Sequence, residues 1–215
     1  MMQDIDTSVF LALNGAHSPF FDTFMWIYTG RFIWVPFYAA ILVMLVRAWG
    51  WRRALILAVA TGVCVALADQ ICATLLRPVF CRPRPSNLAE SPIANLVMTV
   101  NNYRGGRYGF PSCHGANSFA LAVATIMIVR NWRYSACMLL WAVMNCYTRV
   151  YLGVHYPGDL IAGALIGSLI AFAVMTPVLR RMKLSRMPVK RFPGPPEIVS
   201  LTFMATIVAI VIASL

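Results

Sequence analysis

Apolar residues come in long runs along this chain. Six of them approach the roughly 20 residues an α-helix needs to cross hydrocarbon. They occupy about 32–48, 54–76, 115–130, 134–151, 158–179 and 198–215, with the fourth and fifth the least cleanly bounded. Residues 8–29 follow a different pattern. Their apolar clusters (Val9, Phe10, Leu11, Leu13, then Phe20, Phe21, Phe24, Trp26, Ile27) are broken by NGAHSP. That spacing suits helices lying in the membrane interface, with a very short re-entrant hairpin as the alternative. Little sequence remains for a soluble domain. The expected fold is therefore all-α: one integral-membrane domain over residues 1–215, a six-helix bundle preceded by N-terminal interfacial helices within 1–31. The opening MMQDIDTSVF lacks the basic start of a secretory signal peptide, and no internal repeat or low-complexity segment is visible.

Composition supports the membrane reading. The 215 residues are 60% hydrophobic and 12% charged, with a mean hydropathy of +0.72, whereas a soluble domain carries about a quarter charged residues.

The net charge of +11 raises nucleic acid as a partner, and its distribution argues against it. Eleven of the 18 Lys and Arg residues fall in alternate connections between runs: Arg47, Arg52 and Arg53; Arg130 and Arg133; Arg180, Arg181, Lys183, Arg186, Lys190 and Arg191. By the positive-inside tendency that side is cytoplasmic, and the proline-rich fifth connection also suits anionic headgroups. The other seven (Arg31, Arg77, Arg82, Arg84, Arg104, Arg107, Arg149) fall on the outer side, five of them between residues 77 and 114. Orientation gives no reason for these.

The polar residues of the outer side form three clusters. In LLRPVFCRPRP, Arg77 and Arg84 are separated by six residues, among prolines 78, 83 and 85. Proline restricts its own backbone and the residue before it, so this reads as a stiff extended segment whose guanidinium groups could grip an oxyanion. A helix stop whose arginines reach lipid phosphates is an equally good reading of this cluster alone. In RYGFPSCHGANSF, Ser112, Cys113 and His114 would form the first turn of the third run, where free amides and the helix dipole favour an anion; plain capping by Ser112 is the simpler account. In TRVYLGVHYPGDLIAG, Arg149 precedes His155 by six positions and Asp159 follows it by four. From the first turn of the fifth helix, Asp159 could accept a hydrogen bond from one ring nitrogen of His155, leaving the other as nucleophile or base. An Arg–Asp surface pair with an incidental histidine is the alternative. His17 has no comparable company and reads as structural. The outer loops offer no His/Cys/carboxylate set at ligand spacing, and the arginines would repel a divalent cation, so no metal or other cofactor is expected.

Together the three clusters resemble the signature of the type 2 phosphatidic acid phosphatase superfamily, Lys-(six)-Arg-Pro, Pro-Ser-Gly-His and Ser-Arg-(five)-His-(three)-Asp. Here it reads Arg77 to Arg84-Pro85, Pro111-Ser112-Cys113-His114, and Thr148-Arg149 to His155 to Asp159, over residues 77–159. The resemblance implies a metal-independent membrane lipid phosphatase at the outer face of a bacterial inner membrane. His155 would attack phosphorus to give a phosphohistidine, His114 would protonate the leaving oxygen, and Asp159 would orient His155. Arg77, Arg84, Arg149, Ser112 and the Cys113 amide would hold the phosphate, an arrangement suited to phosphoryl transfer. Family substrates include undecaprenyl diphosphate, lipid A phosphate, phosphatidylglycerol phosphate and phosphatidic acid; the expectation leans to undecaprenyl diphosphate. A lipid-to-lipid phosphotransferase, an inactive lipid-binding relative and an anion transporter are the alternatives.

Three positions depart from the signature. Arg77 replaces Lys, exchanging a point charge for a fork; Thr148 replaces Ser and keeps the hydroxyl; Cys113 replaces Gly, where a side chain would restrict the site if a glycine backbone angle were required. Cys81 also stands where the family often has glycine. This raises a Cys81–Cys113 disulfide, which needs a Cα separation of roughly 4.4–6.8 Å. Cys64, Cys72, Cys137 and Cys146 read as small packing residues. Asp69, deep in the second run, is expected to be paired, supporting an arginine or a neighbouring helix.

Overall fold

The computed structural model describes residues 2–184 and 192–215. Arg186, Lys190 and Arg191 of the basic connection lie outside the described residues. Among the described residues eight α-helices follow one another: α1 (Met2–Asn14), α2 (Pro19–Tyr28), α3 (Val35–Gln70), α4 (Arg77–Phe80), α5 (Cys113–Val129), α6 (Trp132–Tyr151), α7 (Pro157–Arg181) and α8 (Glu197–Ser214). Residues Ile71–Leu76 form a π-helical stretch joining α3 to α4.

The first two apolar runs are the two arms of α3. The break falls at Gly50, whose φ of +74° and ψ of +162° are available to glycine without a Cβ clash. Counting those arms separately, six helical segments stand for the six runs. By length and composition, Val35–Phe80, Pro157–Arg181 and Glu197–Ser214 are each apolar enough to cross a membrane; α5 is apolar but shorter. The α6 helix is more polar because it turns Asn145, Thr148 and Arg149 into the protein.

Helix starts follow the local sequence. Asn131 accepts from the amides of Arg133 (3.0 Å) and Tyr134 (3.2 Å) at the start of α6, and Ser18 caps α2 ahead of Pro19, both standard ways to satisfy free N-terminal donors. One expectation is corrected here. Arg77 does not sit on an extended proline-rich segment: α3 runs through the π stretch into α4, and the chain leaves the helix only at Cys81, in the left-handed region at φ +46°. Pro78 follows directly on the wider π turns, which admit its ring and its missing N–H within the continuing helix.

The N-terminal segment is two helices that dock on the bundle. Asn14, 1% exposed, donates to the carbonyls of Val150 (3.2 Å) and Tyr151 (2.9 Å) at the end of α6. His17 bridges Asp22 (2.7 Å) and the Tyr151 carbonyl (3.1 Å), a structural tie, as its sequence context suggests. Trp34, Phe37, Trp141 and Phe203 join α3, α6 and α8 in an aromatic cluster with ring centroids 5.6–6.0 Å apart, and Trp34 Nε1 donates to the Tyr28 carbonyl at 2.7 Å.

The pairing that places the site is α5 against α7. A Cβ added at Gly167 would lie 2.0 Å from the Ala116 carbonyl oxygen, and one at Gly163 2.3 Å from that of Ser112. The backbones therefore meet in direct contact, as small residues allow between helices in lipid. Both helices start at the same end, and the Ser112 amide donates to the Asp159 carbonyl at 2.9 Å. The α6 C-terminus and the α4 turn reach that end too. The opposite helix ends carry Arg47, Arg52, Arg53, Arg130, Arg133, Arg180 and Arg181.

Candidate active site

All three sequence clusters meet at the end shared by α5 and α7. The α7 start places Asp159, which is fully buried. Its Oδ2 accepts from the Tyr156 amide at 3.1 Å and faces His155 Nδ1 at 3.3 Å. His155 Nε2 lies 3.0 Å from Arg84 Nη1. A guanidinium has only donors, so Nε2 accepts, and Nδ1 carries the proton and donates it toward Asp159. The tautomer is thereby fixed, with the bare nitrogen turned toward the arginines.

His155 is 2% exposed. Burial holds its pKa well below the ordinary histidine range, and the charges of Arg84, Arg149 and Arg77 push it further down. Arg84 feels the same crowding. Burial, then Arg77 and Arg149, bring its pKa down from the ordinary arginine value to about 10.

The three arginines are anchored by their terminal nitrogens. Arg77 Nη2 donates to the Pro111 carbonyl (3.3 Å) and to Cys113 Sγ (3.0 Å). Arg84 Nη1 also donates to the Val154 carbonyl (3.0 Å). Arg149 reaches the Thr29 hydroxyl (3.0 Å) and the Tyr103 hydroxyl (3.1 Å). In all three, Nε is buried without a hydrogen-bond partner. Orphaned buried donors are rare and costly, and three of them around one bare imidazole nitrogen form a cradle with unused capacity for an anion.

Ser112 is fully buried and caps α5, its Oγ accepting from the Gly115 amide at 3.4 Å. Cys113 is the first residue of α5 and does not take a positive φ, so no glycine angle is required there. The position tolerates its side chain, which packs against Arg77 and lies 3.9 Å from the Asp69 carbonyl oxygen. Cys81 and Cys113 are both free thiols; the disulfide is not formed, and Cys81 Sγ instead donates to the Pro78 carbonyl at 2.9 Å. Asp69 accepts from Asn117 at 2.9 Å, the polar contact from a neighbouring helix anticipated for it.

His114 is exposed, not to the outside but to a cavity of about 920 Å³ between α3 and α5. It lies in the electrostatic field of Arg149, His155, Arg84 and Arg31. Its neighbours along the cavity wall include Arg31, Asp69 and Asn117 near the site and Leu42, Leu45 and Leu121 further in. Arg84, Arg149 and His155 are buried and not part of that wall. His114 therefore lines the cavity while lying in the field of the buried His155 and the arginines.

Sequence reasoning missed several contributors. Arg82 donates to Asp159 Oδ1 at 2.8 Å and to Asp6 Oδ2 at 2.7 Å. Thr29 and Tyr103 hold Arg149. Arg82 was visible as one of the unexplained outer arginines, whereas Asp6, Thr29 and Tyr103 carry no spacing signal because each arrives from a distant segment. Arg104 and Arg107 do not join the site: the first donates to the Ser86 carbonyl (3.1 Å) and the second pairs with Glu90.

Comparison with known proteins places this arrangement. The chain is 54% identical over 166 residues to the lipid A 4'-phosphatase of Bacteroides thetaiotaomicron, covering 77% of this chain and 73% of that protein. It is 34% identical over 173 residues to the lipid A 4'-phosphatase of Porphyromonas gingivalis, covering 80% and 72%. Matches to undecaprenyl-diphosphatases cover 27%, 30% and 46% of this chain. The fold matches the crystal structure of Aquifex aeolicus LpxE with a TM-score of 0.57 at 24% identity, covering 79% of this chain and 93% of that one. The family pattern of the PAP2 superfamily matches residues 53–183, which hold all three clusters and more than half of the chain, and the chain belongs to that superfamily.

Proposed function

We propose that this membrane lipid phosphatase removes a phosphate monoester from a sugar headgroup of the lipid A type, through a phosphohistidine at His155. The leaning toward undecaprenyl diphosphate is withdrawn. The relatives aligned over most of their length bear lipid A 4'-phosphatase names, and the undecaprenyl-diphosphatase matches are short.

One observation carries the mechanism: a bare, neutral Nε2 held by Asp159 and ringed by three arginines whose Nε donors are unused. A phosphate entering there gives Arg84 oxygen acceptors in place of Nε2 and frees that nitrogen. Nε2 then bonds to phosphorus as the ester P–O bond breaks. The leaving oxygen takes a proton from His114 and departs as the lipid hydroxyl. His155, now carrying phosphorus on Nε2 and a proton on Nδ1, is cationic, and Asp159 stabilises it. Water then attacks phosphorus, His114 takes back a proton, the P–N bond breaks and inorganic phosphate leaves. Arg77, Arg84, Arg149, Ser112 and the Cys113 amide offset the charge that develops on the phosphoryl oxygens. The lipid's apolar part lies along the cavity that His114 faces. The basic helix ends opposite the site support a cytoplasmic assignment for that side, and with it a reaction at the periplasmic face of an inner membrane.

The test is phosphate release by the purified protein, in detergent with chelator, from lipid A and from undecaprenyl diphosphate. This reading expects turnover without added metal and a higher kcat/KM on lipid A. Absence of release from any lipid phosphate, or a clear preference for the polyprenyl substrate, contradicts it.

A further inference from the structure

Arg82 is the one arginine of the site whose two terminal nitrogens are both taken by carboxylates. Nη1 donates to Asp159 Oδ1 (2.8 Å) and Nη2 to Asp6 Oδ2 (2.7 Å). Its guanidinium lies over the Tyr156 ring, 4.1 Å from the centroid, and the Phe10 ring packs against the same tyrosine at 5.3 Å. The group is thus held on several sides and has no free fork to offer a phosphate. Asp6 is equally committed. Its second oxygen accepts from the Gly158 amide at 2.8 Å, one of the free donors at the start of α7. Helix α1 therefore supplies a carboxylate that caps α7 from outside and fixes the cation bonded to Asp159.

We propose that Arg82 and Asp6 form a positioning pair that holds Asp159, and through it the His155 imidazole, in the reactive orientation. The inference rests on the phosphatase reading of the site and adds to it a role for the N-terminal helix. Asp159 uses Oδ2 on His155 and Tyr156; only its Oδ1 is available to set the plane of the carboxylate, and Arg82 occupies it. Without that bond the carboxylate can rotate, and His155 loses the contact that fixes its tautomer. Asp6 acts one step further out by keeping the guanidinium from turning away. Neither residue touches substrate.

The charges facing the dyad come from every element packed around it: Arg82 and Arg84 from the loop after α4, Arg77 from α4, Arg149 from α6, Asp6 from α1 and His114 from α5. Removing Arg82 subtracts a positive charge, so His155 takes up a proton more readily and the acid limb of the rate profile moves to higher pH. Removing the Asp6 charge has the opposite sign.

The experiment compares Arg82→Gln, Arg82→Lys and Asp6→Asn in the full-length protein, with lipid A in detergent micelles and kcat and KM measured across pH. Arg82→Gln is expected to lower kcat about 10- to 100-fold with little change in KM, as for partners that orient a reacting group. Its acid limb should rise by about half a pH unit or more. Arg82→Lys keeps the charge and should restore the limb and part of kcat. Asp6→Asn should lower kcat less and move the limb downward, and it carries the test alone if Arg82→Gln does not fold. Limbs that stay put in all variants, or a loss confined to KM, overturn the positioning pair while leaving the phosphatase reading intact. Wild-type protein that releases no phosphate from any lipid overturns both.

Discussion

His155 owes its proposed reactivity to two unequal neighbours. Asp159 fixes the protonated nitrogen, and the arginines keep the other one bare by donating to it and by repelling a second proton. His155→Ala is expected to lower kcat on the order of 10³-fold or more, the loss typical of a removed covalent nucleophile; unchanged turnover on lipid A refutes the role. The pH profile follows from the same groups. Because His155 titrates well below the ordinary histidine range, the acid limb of kcat/KM, where the imidazole gains its proton, should lie below that range. On the alkaline side kcat/KM should fall as His114 loses the proton it must give the leaving oxygen; an acid limb at the ordinary histidine value contradicts the His155 assignment. Cys113 is the instructive residue for sequence reading. Its replacement of the family's glycine looked like a constraint, and the helical backbone at that position removes the objection. Cys113→Gly is accordingly expected to leave turnover within a few-fold.

At the scale of elements, the contact between α5 and α7 sets the distance between the Ser112–Cys113 turn and the proposed nucleophile, His155. Ser112 and Cys113 begin one helix and Asp159 begins the other, and Gly163 and Gly167 let the backbones touch. Gly167→Leu should force the pair apart, at a cost of about 1–3 kcal/mol or more as for other overpacked sites, and lower both the melting temperature and kcat. A variant of unchanged stability and activity shows that the close approach is not needed. The boundaries of these helices were legible because each begins at a capping residue or proline ahead of an apolar run. The Arg77 segment was misread because three prolines within eight residues argue for extended chain, and nothing local signals that π-helical turns admit Pro78 into a helix.

At the scale of the molecule, the alternation of the helices carries three distant sequence clusters to one end and leaves the basic helix ends at the other. That much was readable from the spacing of apolar runs, because a helix crossing a bilayer has little choice of direction once its neighbours are set. The contributions of α1 and α2 were not readable. Asp6 and Thr29 reach the site through docking of the N-terminal helices on α6 and α7, a tertiary event with no periodic trace in the sequence. The whole account turns on a covalent step at His155. The most direct test is to quench turnover of labelled lipid A at short times and map the phosphoenzyme by mass spectrometry under alkaline conditions that preserve phosphohistidine. The account predicts phosphate on residue 155, lost in His155→Ala. Steady turnover with no phosphoenzyme, or with phosphate on another residue, contradicts it.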